Sequence, residues 1–581
     1  MCGIAGILNL DRRPVDPEVL ERMSSVIAHR GPDDSGVHVD DNLGLAHRRL
    51  AIIDLTPGGH QPMLSEDGRT CVVFNGEIYN YLELATELRG HGCTFRSRSD
   101  TEVILHAYRV WGTECVHRFN GMFAIAVWDR DDRSLWLARD RLGVKPLHYA
   151  FDGRRFVFGS EIKALREVED VGSRANPQAI AQYLERTFPV DDQTWFAGVR
   201  RLLPGTMAFV DERNGLRLQT YWDPADKYRH ASHHDDAPDR IRALLEDAVR
   251  LRLRSDVPIG AHLSGGLDSS SVVGLMSQLS EVPVHTFSGA FAEGAEYDER
   301  EFIHVVASRF GTEHHEVVPG SDVVAELLPK LMWHMDEPSV GPGLLPQFLV
   351  CRLSRDHGVK VVNGGQGGDE LFGGYPKYLA HGSLSLRARA ALGRGRRRLL
   401  RSAHPDFRHA TSHHDLRIPT VLDDPLANEM YNDVRHYLPA LLHVEDRTSM
   451  AVSIESRTPF LDYRLVELAA SIPSQDKMAG GVLKSVLRDA MRDLLPTVIV
   501  DRRDKRGFPT PIGPWMRGPL HDWVREVVLD SSFLSRRLYT RPRLEAMLAV
   551  HRRGLVDATH PLWQAVSIAL WFRQFDAEPA W

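Results

Sequence analysis

Between Phe119 and Leu165 apolar and polar positions alternate in short runs broken by turn residues, as in Phe119-Asn120-Gly121-Met122-Phe123-Ala124-Ile125-Ala126-Val127-Trp128-Asp129, Leu137-Ala138-Arg139 and Phe156-Val157-Phe158-Gly159. That period of two predicts half-buried strands, the last running into a helix at Ile162-Lys163-Ala164-Leu165. The period is lost over 223–240, where a polar stretch rich in His, Asp and Ala predicts a surface linker. Beyond it helix and strand patterns alternate: Ile241 to Leu253, Val257 to Leu263, Ser271 to Met276, Val282 to Phe287, Glu301 to Phe310, Glu316 to Val318 and Val359 to Asn363. Such alternation predicts an α/β doubly wound parallel sheet with its ligand at the carboxyl ends of the strands. The expected domains are therefore 1–222 and 241–581, joined by the linker 223–240. The end of the chain reads as helices that partly bury Trp563, Trp571 and Trp581.

A length of 581 residues exceeds what one core supports, and 43% hydrophobic with 26% charged residues is the composition of a soluble globular protein. A net charge of -7 carries no global basic signal, and no apolar run is long enough to span a bilayer, so neither nucleic acid nor membrane is expected as a partner. Cys2, Cys71, Cys93, Cys115 and Cys351 are odd in number and scattered without a CxxC. They predict neither a disulfide framework nor a zinc site and fit a reducing cytoplasm. The start, MCGIAGILNLDRR, has no basic segment before its apolar residues, so no targeting is expected. His233-His234-Asp235-Asp236 is expected to be solvated linker, and His314-His315-Glu316 a loop and strand edge, since neither has the H-E-x-x-H spacing on a helix. The arginine-rich stretch 387–401 is expected to be a solvated insert, with RNA or an acidic carrier domain as the alternative partner.

Chemistry enters at Ser264-Gly265-Gly266-Leu267-Asp268-Ser269-Ser270, set between a strand pattern ending at Leu263 and a helix pattern. A strand, a Gly/Ser turn and a helix in that order present backbone N–H groups at a positive helix end, which is a site for phosphate. The string has no Walker A lysine. It resembles the pyrophosphate loop of the ATP pyrophosphatases, which implies splitting of ATP to AMP and pyrophosphate as a substrate oxygen is adenylated.

Cys2 follows Met1 directly, and removal of that Met would place a free α-amine beside the thiol, joining base and nucleophile in one residue. His29-Arg30-Gly31-Pro32-Asp33, His47-Arg48-Arg49-Leu50, Phe74-Asn75-Gly76-Glu77-Ile78-Tyr79-Asn80 and Ser99-Asp100-Thr101-Glu102 follow in order. Together these motifs resemble the class II glutamine amidotransferase domain over about residues 2 to 210. The resemblance implies an α+β N-terminal-nucleophile fold of two stacked antiparallel sheets flanked by helices. It implies that Cys2 attacks glutamine, that Asn75 and the N–H of Gly76 hold the oxyanion, that Arg49 pairs with the α-carboxylate of glutamine, and that Asp100 with Glu77 takes its α-amine. Taken singly, Asn75-Gly76 also reads as a hairpin turn and Asp100 as a helix N-cap.

Further motifs resemble the asparagine synthetases to about residue 520: Ser288 and Asp298-Glu299 on the adenosine side, Asn363-Gly364-Gly365-Gln366-Gly367-Gly368-Asp369-Glu370 as a second glycine-rich loop, Lys484, Asp446-Arg447-Thr448-Ser449-Met450, Glu455-Ser456-Arg457, and Gly507-Phe508-Pro509-Thr510-Pro511. The resemblance implies ATP on Leu263, Ser264, Gly265, Gly266, Asp268, Ser269, Ser288, Asp298, Gly364, Gly365 and Lys484. It implies Mg²⁺ on Asp268 and Asp369, an acceptor pocket at Gln366 and Asp446, and catalysis by Lys484. Alone, Lys484 reads as a solvent-facing helix lysine. Many relatives carry glutamate where Gln366 stands, and an amide cannot take a proton at neutral pH. The expected reaction converts L-aspartate to L-asparagine with glutamine and ATP, by way of an ammonia tunnel, in a homodimer. The alternatives are amidation of another carboxylic acid by the same mechanism, a β-lactam synthetase, disfavoured by the retained Cys2, and a silent regulatory homologue.

Overall fold

A computed structural model describes residues 2–382, 403–411, 417–504, 509–579 and 581. The arginine-rich stretch 387–401 and Gly507-Phe508 lie outside the described residues. Two 6-stranded sheets, antiparallel throughout, form the first domain. One centres on β1 (Gly3–Asn9) and β2 (Leu43–Arg49), the other on β3 (Thr70–Ile78) paired with Gly121–Asp129. Between the sheets Ile4, Leu43 and Leu45 pack on Val73, Ala124 and Trp128. On the outer side of the second sheet Val72 and Phe74 pack beneath α1 (Asp100–Trp111) through Val103 and Ile104. These strands are therefore buried on both faces, where alternation had predicted one exposed face. Helices cover the side that the pattern left open.

The second domain holds a 5-stranded sheet built from β4 (Ile259–His262), β5 (His285–Gly289), β6 (Glu313–Val317), β7 (Val361–Asn363) and β8 (Glu455–Arg457). All pairs are parallel, in the order β6-β5-β4-β7-β8. The order reverses between β4 and β7, which is where an open α/β sheet leaves a crevice for ligand. Both glycine-rich loops leave these two strands. β6 begins three residues before the predicted Glu316 because its sequence, Glu-His-His-Glu-Val, is set by pairing with β5 and not by an apolar run.

The predicted linker is partly helical and anchored: Tyr228, in the helix Ala225–Arg229, is buried with Met430 and Tyr431. His233 is solvated, pairing with Asp235 and Asp476. Trp563 and Trp571 are fully buried, not partly, and Trp571 Nε1 donates to the Asp336 carbonyl at 2.7 Å.

The domains are locked together by buried charge. Arg30 of the first domain donates to both oxygens of Asp446 on α4 (Leu438–Met450) at 2.8 and 3.0 Å, and to Glu161 at 2.8 Å. Arg447 returns the contact to Glu161 at 2.7 Å and reaches Asp336 at 3.1 Å. Burial alone would raise the Asp446 carboxyl, but Arg30, Lys145 and Arg447 hold it below the ordinary aspartate range. Asp446→Ala leaves the buried Arg30 with Glu161 as its remaining carboxylate, so it is expected to destabilise the protein by about 3 kcal/mol. A denaturant midpoint unchanged from wild type would refute that.

Candidate active sites

The first site forms where the two antiparallel sheets meet. The ladder that sets Gly3 opposite Arg48 places Cys2 beside Arg49 at the end of β2. From the other sheet, Asn75 Oδ1 accepts the backbone N–H of Cys2 at 3.1 Å, and Asn75 Nδ2 donates to Ser160 Oγ at 3.4 Å. Asn75-Gly76 is no hairpin turn: both residues lie inside β3, paired with Ala124 and Phe123. Gly76 has φ +152°, and a Cβ there would stand 2.0 Å from the Met122 carbonyl, so only glycine fits.

Arg49 is buried and donates to the carbonyls of Thr56, at 2.9 Å, and Asp54. Ser99, not Asp100, caps α1, its hydroxyl accepting from Thr101 N–H at 3.2 Å. That leaves Asp100 as an inward carboxylate, accepting the Ile78 N–H at 2.9 Å, with burial pushing its pKa up to about 7. Burial, Glu455 and Asp100 raise Glu77 well above the carboxylate range. Burial also raises the Cys2 thiol, opposed by the charge of the amino terminus.

The second domain supplies one wall of this site, which a linear reading did not reveal. Arg457 Nη2 lies 3.5 Å from Glu77, and Arg457 Nε donates to Glu455 at 2.6 Å. Side chains alternate along β8. Glu455 and Arg457 thus face the Cys2 site, while Ser456 faces away and hydrogen-bonds Glu445 at 2.5 Å.

On that far side lies an open cavity of ≈ 670 Å³ at the switch point, lined by Leu263, Ser264, Gly266, Asp268, Ser269, Gly364, Gly365, Gln366, Asp369 and Lys484. The first loop opens α2 (Leu267–Leu279), whose amino end has no side-chain cap and keeps its N–H groups available. The second loop lies directly against it: a Cβ on Gly365 would sit 2.6 Å from the Ser269 nitrogen. Lys484 is not a solvent-facing helix residue. It is buried, has φ +57°, and donates to Asp268 at 2.5 and 2.7 Å while contacting Asp369 at 2.6 Å. A non-glycine residue held in the left-handed region is strained, a cost tolerated where position matters. The two carboxylates form an oxygen-only donor set beside the phosphate loop, which fits Mg²⁺.

Four expected residues lie off this cavity. Asp446 is consumed by Arg30, and the residue before it, Glu445, lines the cavity in its place, 3.3 Å from where a Gly364 Cβ would stand. Asp298 is turned outward to Arg300 at 2.7 Å, whereas its neighbour Glu299 grips Arg502, a cavity residue, at 2.6 Å. Ser288 is buried against His314 Nε2 at 3.1 Å. Gly265 packs on Phe302 and Ile303 behind the loop. Glu445, Arg488 and Arg502 escaped the sequence reading. For Glu445 the signal was its place next to Asp446, one residue off.

Residues 1–222 match the model of the glutamine amidotransferase domain, and residues 240–573 match that of asparagine synthase. The chain belongs to the asparagine synthase family. It is 31% identical to glutamine-hydrolyzing asparagine synthetase 1 of Bacillus subtilis (strain 168) over 98% of this chain and 96% of the relative. It is 32% identical to asparagine synthetase 3 of the same organism, over 94% and 93%. Amidase chry2 of Gibberella zeae is 28% identical over 92% of each chain. Glutamine phosphoribosylpyrophosphate amidotransferase from B. subtilis, a solved structure, covers 63% of this chain and 82% of its own at 15% identity and a TM-score of 0.29. The asparagine synthase family member described here is an ATP-dependent carbon–nitrogen ligase that draws nitrogen from glutamine. No helix among the described residues is long and apolar enough to cross a membrane.

Proposed function

We propose that this ligase is a cytoplasmic enzyme that converts L-aspartate to L-asparagine. Cys2, freed of Met1, attacks the glutamine carboxamide, with Arg49, Glu77 and Asp100 holding the amino-acid end and Asn75 with the Gly76 N–H receiving the oxyanion. Ammonia leaves, and water clears the thioester as glutamate. In the second cavity an acceptor carboxylate oxygen attacks the α-phosphorus of ATP and pyrophosphate departs. Lys484 and the N–H groups of the first loop hold the phosphates. Asp268 and Asp369 would hold Mg²⁺, which offsets charge on the leaving pyrophosphate. Ammonia then bonds to the acyl carbon, AMP leaves with the electron pair of the broken C–O bond, and the nitrogen gives up a proton.

Gln366 cannot take that proton, and Glu445, a buried carboxylate beside the same loop, is the group assigned to take it. The observation that carries the reading is β8 itself, with Glu455 and Arg457 at the Cys2 site and Ser456 on Glu445 at the synthetase cavity. Three residues of one strand thus separate the two chemistries, and ammonia crossing there stays out of bulk water. Product analysis with amide-labelled glutamine, ATP, Mg²⁺ and L-aspartate tests it: labelled asparagine is expected, with AMP and pyrophosphate in equal amount. Glutamate without asparagine would refute aspartate as acceptor. Gln366, together with the relative named as an amidase, favours as the second reading another carboxylic acid amidated by the same steps.

A further inference from the structure

Along β6 the side chains alternate across the sheet edge, so Glu313 and His315 share one face while His314 and Glu316 share the other. Parallel register sets His285 of β5 opposite Glu313, and Phe287 opposite His315. The Glu313 carboxylate lies 3.6 Å from His285 Nδ1 and 3.9 Å from His315 Nε2, and the three ligand-capable atoms fall within 4.8 Å of one another. Both nitrogens are buried and neither has a hydrogen-bond partner. A buried polar atom left unpaired costs free energy, and an imidazole lone pair in that state is ready for a metal ion.

The rings are held by fixed elements. His357, at the end of α3 (Leu344–Asp356), packs on His315 with ring centroids 3.9 Å apart, its own Nδ1 bonded to the Leu353 carbonyl at 2.9 Å. Phe287 lies against the same imidazole at 5.3 Å.

We propose that His285, Glu313 and His315 form a binding site for a first-row divalent metal ion of the Zn²⁺ class. Two imidazoles and a carboxylate suit such an ion and leave a further position for water. Ligand atoms around tetrahedral zinc stand about 3.4 Å apart, so the trio closes by small rotations. Glu313, with its side chain 57% exposed, is free to make them. The trio on the opposite face, His304, His314 and Glu316, lacks this character, because both nitrogens of His314 are engaged, by Thr286 at 3.0 Å and Ser288 at 3.1 Å. His285 and Glu313 begin their strands, so the ion sits at the end of the sheet away from the glycine-rich loops. It serves there as a clip on β6, an edge strand that among the described residues has a hydrogen-bonded neighbour on one side only.

The test uses the full chain, stripped with chelator, incubated with Zn²⁺ and gel-filtered before metal analysis, with Co²⁺ absorption as a second probe. One ion per chain is expected in the wild type, together with a raised Tm. His315→Ala and Glu313→Gln are each expected to weaken binding by about 100-fold, with the Tm gain lost, while His304→Ala leaves both unchanged. Glu313→Gln alters a half-exposed side chain, so it decides the matter even where His315→Ala fails to fold. Wild-type protein that keeps no Zn²⁺ or Co²⁺, or undiminished retention in Glu313→Gln, overturns the site.

Discussion

Cys2→Ala is expected to abolish glutamine-driven amide formation, by about 1,000-fold or more, while ammonium-driven formation continues at the wild-type rate. The thiol is the nucleophile assigned to the first site, and alanine removes it while keeping the residue's nitrogen, which Asn75 holds at 3.1 Å. Nothing in the second cavity changes, because Cys2 touches it only through the wall formed by β8. Steady-state assays with glutamine or ammonium chloride, following AMP in each, separate the two cases. Residual glutamine-driven turnover above about 1% of wild type would show that another group cleaves glutamine. Loss of the ammonium-driven reaction as well would mean that the two sites are not independent, and the division of labour between the domains would fall.

The two glycine-rich loops were legible because each lies at a strand-to-helix turn, whereas Cys2 and Asn75, joined across two sheets, were legible only through the ordered motifs of the resemblance. Asn75-Gly76 illustrates the limit of that local reading. As a dipeptide it has the propensity of a turn, and the pairing of β3 with Gly121–Asp129 overrides it. Only the resemblance singled out Lys484, since its reach across to Asp268 joins positions far apart in the chain. The wall between the sites was not legible at all. Glu455-Ser456-Arg457 reads as one motif, and the strand pleat is what divides it between two active sites. Asp446 was misplaced for a related reason: on a helix, adjacent residues point about 100° apart, so Glu445 and Asp446 serve the cavity and the domain clamp respectively.

Glu445→Gln is expected to lower amide formation by about 10²–10⁴-fold, the usual worth of a positioned general base. Cleavage of glutamine and acceptor-dependent exchange of pyrophosphate into ATP should persist, because neither step needs a proton taken from the incoming nitrogen. The substitution preserves shape and the bond to Ser456 at 2.5 Å, so a packing role alone predicts little change. A pH profile separates the two roles. Burial raises the Glu445 pKa, and only the ionised carboxylate accepts a proton, so the glutamine-driven rate of the wild type falls as pH drops through that raised value. The amide variant has no such group and loses that acid limb. Adding Gln366→Glu to Glu445→Gln returns a carboxylate to the same loop and is expected to restore part of the rate. An unchanged rate and an unchanged acid limb in Glu445→Gln would remove Glu445 from the proton route, and Gln366 would then sit in a cavity whose base lies elsewhere.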